Sequence, residues 1–406
     1  MGKEQPMKPT PIFIVGVQRS GTTLLSAMLA AHSRMSCGPE THFFQRLEDE
    51  NIAELIDPEN WPKNGKKFIS SITFTNYLSD NSQRISILEK YHLTEIQIEE
   101  YLNKQKPAID SLLGSVVEPY MLSLGKSRWV EKTPDHIQHL KIIRKYFPNS
   151  PIIRIIRDPR DVSLSLMKVP WGAKTYYEAI CYWKFLDDIS CDFFKVDKNS
   201  YTLRYEDLLE NPERELRKLC SFLDEDYEEG MLNTSTTGKL VNSQNVPWKK
   251  KAEQPIDKNR AGGWRNQISK DMNQFTEGLI GDKLIRYGYP VIENFLHFGE
   301  YYPKNSPLHF YETKISKIAA EGIRFWKIVS NEKPIATILL GDPMKSKSQE
   351  YKTLSRIRNI WSVFIDVVQA LTSRKRLFWI TLYDDQIFNG LGNKVLIILL
   401  KPFKVH

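Results

Sequence analysis

The chain has 406 residues, 41% hydrophobic and 26% charged, which excludes a disordered polymer and allows one large domain with an addition, or two domains. Its 57 basic and 49 acidic residues give a net charge of +8, which suits an anionic ligand, a nucleic acid or an acidic membrane surface without choosing among them. Four cysteines without a CxxC pair exclude a disulfide scaffold, a zinc knuckle and a redox dithiol motif, and no apolar run approaches the roughly 18 residues that span a bilayer.

The first residues, Met1 to Pro6, lack the apolar stretch of a signal peptide. Gly2 invites a myristoylation reading, but Pro6 stands where Ser or Thr is expected. A soluble, cytoplasmic chain is the expectation.

Pro11 to Val15 is a short apolar run that ends at Gly16 and reads as a buried parallel strand. A glycine turn follows, and Thr22 to Ala31 has helical spacing. Residues 42–127 are mixed and mostly polar, with helical stretches such as Thr94 to Asn103, and read as an insertion of helices and loops. A strand is expected from Arg128 toward Pro134, then a helix capped by Asp135 and running to about Phe147. Pro151 to Ile156 and Tyr201 to Tyr205 read as strands, with a helix from about Pro159 to Lys168 between them. Asn211 and Pro212 supply an N-cap and a first-turn proline for a helix to about Leu223.

Residues 238–265, basic and glycine-rich, read as a mobile loop able to close over a ligand; the run Lys249, Lys250, Lys251 within it has no evident role. The α/β pattern fades near Tyr287 to Tyr289. Strands alternating with helices imply an α/β fold: a P-loop-like parallel sheet flanked by helices, with a helical insertion and a C-terminal extension, and ligands at the carboxyl ends of the strands. The domain expected is 10–290, with 291–406 an extension of unknown role. The last 66 residues carry 11 Lys/Arg against 5 Asp/Glu, so +6 of the +8 lies there.

Gly16-Val-Gln-Arg-Ser-Gly21-Thr22-Thr23 has the pattern of a phosphate cradle, in which backbone N–H groups and a helix N-terminus point at an anion. In a nucleoside-triphosphate loop a lysine would occupy position 22; here Thr22 stands there and Arg19 brings a cation from within the loop instead. A second motif, Arg157-Asp-Pro-Arg160 at a strand end with Ser165 eight residues after Arg157, offers another anion site, since arginine grips a phosphate through two N–H groups. Taken alone, Arg157 reads better as a surface ion pair with a neighbour such as Asp158 than as a phosphate ligand.

In order and placement the two motifs resemble the 5′-phosphosulfate loop and the 3′-phosphate motif of sulfotransferases that use PAPS (3′-phosphoadenosine-5′-phosphosulfate). The resemblance covers roughly residues 10–290. Through Arg19-Ser-Gly-Thr-Thr23 and Cys37-Gly-Pro-Glu40-Thr41 it is nearest to the tyrosylprotein-sulfotransferase-like branch, which many bacterial sulfotransferases share.

The resemblance implies transfer of a sulfuryl group from PAPS to an acceptor hydroxyl of a peptide tyrosine, a carbohydrate or a small-molecule alcohol, releasing PAP. It implies Glu40 as general base and Lys132 with Arg19 stabilising the leaving bridge oxygen; His32 and His42 are rivals for the base because histidine has a suitable pKa without tuning, although an ordinary surface or packing role is the better reading of each. Gln18, Arg19, Ser20, Gly21, Thr22, Thr23, Arg157 and Ser165 would hold the donor, and Tyr205 reads equally well as bordering it or as core. Arg260, Trp264 and Arg265 match the late loop that closes on the nucleotide, although the family pattern is not fully reproduced there. No metal is expected, because a sulfuryl group carries less negative charge than a terminal phosphoryl group, so fixed cations and backbone dipoles suffice.

Two other readings stay open at this level. One is a P-loop kinase, which needs the missing lysine and magnesium. The other is a non-enzymatic module that binds polyanion or membrane, supported by the charge of the tail and by Arg374-Lys-Arg376 followed by Leu-Phe-Trp. Nucleic acid is not the expected partner, and the oligomeric state is open.

Overall fold

The computed structural model describes residues 10–47, 50–77, 84–173, 175–242 and 246–291, with three short strands at Thr337–Leu339, Trp379–Tyr383 and Leu396–Leu399. Its contacts fall into two units. The first comprises the described residues of Met1–Arg157 and Ile189–Gly262, and the second those of Asp158–Asp188 and Gly263–His406.

The first unit is built on β1 (Ile12–Val15), β2 (Met35–Cys37), β5 (Arg128–Lys132), β6 (Ile152–Ile156) and β7 (Ser200–Arg204). They form one parallel sheet in the order β2-β5-β1-β6-β7. A strand between two neighbours with both faces covered tends to read as a continuous apolar run, and all four residues of β1 are apolar and buried. On one face, Leu24, Leu25 and Met28 of helix Thr22–Ala31 pack with Leu216 and Leu219 of helix Pro212–Leu223. Phe13 meets Phe44, Trp129 and Phe147, with ring centroids 5.0–6.0 Å apart.

Strand β1 is where the order reverses: β5 lies on one side of it and β6 on the other, with Ile14 opposite both Lys132 and Ile153. Such a switch point opens a crevice outside the carboxyl ends of the strands. The segments Gly16–Gly21, Lys132–Thr133 and Arg157 leave there, from three adjacent strands.

Several elements depart from the sequence expectations. The stretch after β5 is a 3₁₀ turn, Pro134–Gln138, and then a separate helix, Leu140–Tyr146. Asp135 lies inside the 3₁₀ turn, the N-caps are Thr133 and His139, and the Asp135 carboxylate accepts from Gln18. Tyr205 opens helix Tyr205–Glu210 instead of closing β7. The insertion holds an antiparallel ribbon, β3 (Thr73–Thr75) with β4 (Arg84–Ser86), besides its helices. Residues 238–265 carry short turns and a five-residue helix, Thr237–Val241. The helical stretch expected from Thr94 to Asn103 is there as helix Glu95–Leu102, with Thr94 and Gln97 forming a capping box.

In the second unit, helix Pro159–Leu166 starts on Asp158, whose side chain accepts from the Arg160 N–H at 3.0 Å. Helix Lys270–Arg286 and the strands β8 (Thr337–Leu339), β9 (Trp379–Tyr383) and β10 (Leu396–Leu399) belong to this unit, the strands in the order β10-β9-β8. The helix-like stretch expected near 358–371 and the cluster Arg374 to Arg376 lie outside the described residues. Among the described residues no helix is long and apolar enough to cross a membrane. All four cysteines are free thiols.

Candidate active site

Two glycines shape the phosphate loop. A Cβ at Gly16 would stand 2.5 Å from the Ile155 carbonyl oxygen of β6. Gly21 has φ 105°, and a Cβ there would stand 2.2 Å from the Tyr205 ring, so backbone conformation and the close ring both demand glycine. Gly21 is the N-cap of helix Thr22–Ala31, no side chain caps it, and the first turn holds no acid. The first N–H groups of that helix therefore face the crevice with the positive end of its dipole. The Ser20 hydroxyl is buried there without a hydrogen-bond partner. An anion would satisfy all of these groups, so the loop fits a phosphosulfate.

Arg19, itself at φ 71°, donates to the Trp248 carbonyl at 2.8 Å. Burial and then Arg157 pull its pKa down to about 10, against Glu40 and Tyr205. Arg157 donates to the Arg19 carbonyl (3.2 Å) and the Arg260 carbonyl (2.7 Å), and lies 4.8 Å from the centre of the Tyr205 ring. Two arginines held close on a loop of open N–H groups form a cationic pocket.

Glu40 is delivered by the turn after β2. Gly38 lets the Tyr91 ring approach, the Tyr91 hydroxyl donates to the Pro39 carbonyl, and Lys90 donates to the Glu40 carbonyl at 2.9 Å. Its carboxylate, 16% exposed, pairs with the fully buried Lys132 and accepts from Lys249 at 2.9 Å, both on Oε1. His42 Nε2 lies 3.5 Å from Oε2. Burial acts to raise the pKa of Glu40, but Lys132, Lys249 and His42 outweigh it and hold the group well below the usual carboxylate range.

Next to that pair lies a buried network. Glu131 accepts from the Thr133 hydroxyl (2.6 Å), the Thr41 hydroxyl (2.7 Å) and His136 Nδ1 (2.8 Å). Side chains alternate along a strand, so Glu131 and Lys132 face opposite sides of β5. They take hold of Thr41 and Glu40, themselves consecutive. One strand thus sets the register of the turn that carries Glu40.

The remaining expected residues are distributed as follows. Thr22 is buried and Thr23 half-buried at the helix start. Arg260 donates to the Lys251 and Pro255 carbonyls at 2.6 and 2.8 Å. His32, at the far end of helix Thr22–Ala31 from the loop, is held 2.9 Å from the Asp226 carbonyl. Ser165, Trp264 and Arg265 belong to the second unit. There Trp264 is 2% exposed, with the Arg160 guanidinium 3.5 Å from its ring centre and the Trp264 backbone N–H donating to the Asp161 carboxylate at 2.9 Å. Arg265 lies 4.9 Å from the same ring.

Sequence reasoning missed Lys90 and Lys249. Burial lowers the pKa of Lys90 to about 7 and that of Lys249 to about 8, each opposed by Glu40. The lysine run at 249–251 was a visible signal, but nothing in it separates Lys249 from its neighbours. Among the described residues no cluster of His, Cys, Asp and Glu could hold a metal ion.

The family model described as "Sulfotransferase family" matches residues 11–229, more than half of the chain and the whole stretch from β1 to the end of helix Pro212–Leu223. The chain belongs to the sulfotransferase family. This sulfotransferase is an enzyme that moves a sulfuryl group to an acceptor hydroxyl. It is 23% identical to protein-tyrosine sulfotransferase 1 of Danio rerio over 313 residues, 73% of this chain and 76% of that protein. It is 24% identical to protein-tyrosine sulfotransferase A of Caenorhabditis elegans, over 71% of this chain and 70% of that protein. Among solved structures, the sulfotransferase domain from the Synechococcus PCC 7002 olefin synthase aligns with TM-score 0.47 and 20% identity, covering 71% of this chain and 99% of that one. Mouse sulfotransferase SULT7A1 complexed with PAP aligns with TM-score 0.35 and 15% identity, covering 68% and 84%.

Proposed function

We propose that this sulfotransferase uses PAPS as donor, releases PAP, and employs Glu40 as the general base for the acceptor hydroxyl. The observation that carries the reading is the Glu40–Lys132 pair, set beside the phosphate loop at the carboxyl ends of adjacent strands. Residues 10–290 form the transferring domain in this reading.

PAPS supplies the sulfuryl group and a phosphate leaving group. The loop N–H groups with Ser20, Thr22 and Thr23 bind its 5′-phosphosulfate, and Arg157 meets the 3′-phosphate. Arg19 and Lys132 neutralise charge as it builds on the leaving oxygen, a role for which one donor is worth about 10²–10³ in rate. Lys132 also tunes the base. While it rests on Glu40 the carboxylate is a poor proton acceptor. As it turns to the leaving oxygen, the proton affinity of Glu40 rises when the acceptor proton must be taken.

The acceptor proposed is a tyrosine phenol. The relatives named above are protein-tyrosine sulfotransferases. The residues around Glu40 are also aromatic: His42 lies against Phe74 with centroids 5.6 Å apart, and Trp248, beside Lys249, lies 5.5 Å from Tyr77. Calorimetry with PAP, and with ATP plus magnesium, tests the donor. Binding of PAP alone is expected; magnesium-dependent ATP turnover without PAP binding would replace this reading by a kinase.

A further inference from the structure

The segment Val246–Glu253 lies beyond the stretch matched by the family model, yet it reaches both halves of the site. Trp248 and Lys249 are neighbours in a 3₁₀ turn, Pro247–Glu253. The Trp248 carbonyl accepts from Arg19 of the phosphate loop at 2.8 Å, and the Lys249 ammonium donates to Glu40 Oε1 at 2.9 Å. The Lys249 side chain is 18% exposed, whereas Lys250 and Lys251 are exposed, so the fold selects one lysine of three. Lys249 and Lys132 converge on a single carboxylate oxygen. Two ammonium groups brought that close repel each other, and the Glu40 charge between them is what compensates.

We propose that Lys249 is a positioning residue of the transfer reaction, which holds Glu40 ionised and aimed while Lys132 is free to leave it for the donor. This inference rests on the reading of Glu40 as base. Were Lys132 the sole partner, its departure would leave Glu40 buried, 16% exposed, with His42 as the remaining contact of its carboxylate; burial would then favour the protonated, inactive carboxyl. Lys249 limits that rise in proton affinity, so Glu40 stays ionised until it takes the acceptor proton. Among the described residues, the charged and titratable groups facing Glu40 include Lys132 of β5, Lys249, His42 of its own turn, Lys90 and Tyr91 of helix Ile87–Tyr91, Cys37 of β2 and Arg19 of the loop, with the carboxyl of Asp135 acting against the cations.

The test is the pH dependence of kcat/KM for sulfate transfer from labelled PAPS in the full chain, for the wild type, Lys249→Met, Lys249→Gln and Glu40→Gln. Removing the ammonium raises the proton affinity of Glu40, so the acid limb moves to higher pH. In Lys249→Met the acid limb is expected to lie about one pKa unit higher than in the wild type, which makes the rate about tenfold lower than the wild type's at any pH well down that limb. Lys249→Gln keeps a donor to Glu40 without the charge and is expected to shift likewise, so a misfolded Met variant does not hide the effect. PAP binding by calorimetry identifies the folded variants. A loss parallel to the wild type at every pH, in whichever variant binds PAP, overturns the role of Lys249. Glu40→Gln separates the two readings, because full turnover in it overturns the base itself, whereas its loss beside unchanged Lys249 profiles overturns only this inference.

Discussion

Glu131 accepts a 2.7 Å hydrogen bond from the Thr41 hydroxyl, one residue along each segment from the ion pair of Lys132 with Glu40. The first contact is wholly buried and structural, and the second opens on the crevice. The same four residues therefore join the core of the first unit to its chemistry.

Glu131→Ala would leave Thr41, Thr133 and His136 without their shared acceptor in a closed interior. Loss of such a buried centre is expected to cost about 3 kcal/mol, read from the midpoint of urea unfolding. Thr41→Val removes one of the three side-chain bonds to Glu131 and should cost about 1 kcal/mol in the same measurement.

The network also predicts a pH dependence of stability. Burial lowers the pKa of His136, against the pull of Glu131. Its Nε2 accepts from the Phe44 N–H at 3.4 Å while Nδ1 donates to Glu131, the pattern of a neutral ring. The unfolded chain takes up a proton near the ordinary value of about 6.5 and the folded chain resists it, so stability falls as pH drops below that point. The pKa of Glu131 is lowered: burial raises it, but His136, Thr133 and Thr41 outweigh that effect. Its contribution is present above the ordinary carboxylate range and is lost as pH falls through the folded value. Thermal unfolding between pH 7 and pH 5 should show the histidine step, and His136→Asn should flatten it.

Gly21→Ala places a methyl group against the Tyr205 ring at a φ of 105°. We expect a loss of about 2 kcal/mol or more in stability together with loss of PAP binding. Tyr205→Ala in the same chain relieves the contact but not the backbone strain, so recovery should be partial.

Arg157→Ala removes the guanidinium assigned to the 3′-phosphate. The expected result is a drop of about tenfold or more in affinity for PAP, with little change for adenosine 5′-phosphosulfate, which lacks that phosphate. An equal loss for both nucleotides would assign Arg157 to the loop through its bonds to the Arg19 and Arg260 carbonyls.

Much of the first unit was legible in the sequence because local rules and tertiary structure agree there. The strand at Ile12–Val15 and the helix at Thr22–Ala31 follow from an apolar run, a glycine exit and helical spacing. Strand β2 was missed: with three residues, Met35–Cys37, it has no periodicity to read and exists because β5 offers it an edge. Glu40 and Lys132 were legible through motif resemblance. Lys90 and Lys249 were not, since 50 and 209 residues of sequence separate them from Glu40 and only folding makes them neighbours.

The central claim is that Glu40 takes the proton in a sulfuryl transfer from PAPS. Its most direct test is transfer of labelled sulfate from PAPS to a tyrosine-bearing peptide by the wild type and by Glu40→Gln, with PAP affinity measured in both. The account expects turnover in the wild type, a fall of about 10²-fold or more in the variant, and unchanged PAP affinity. Wild-type turnover that survives undiminished in Glu40→Gln would contradict it.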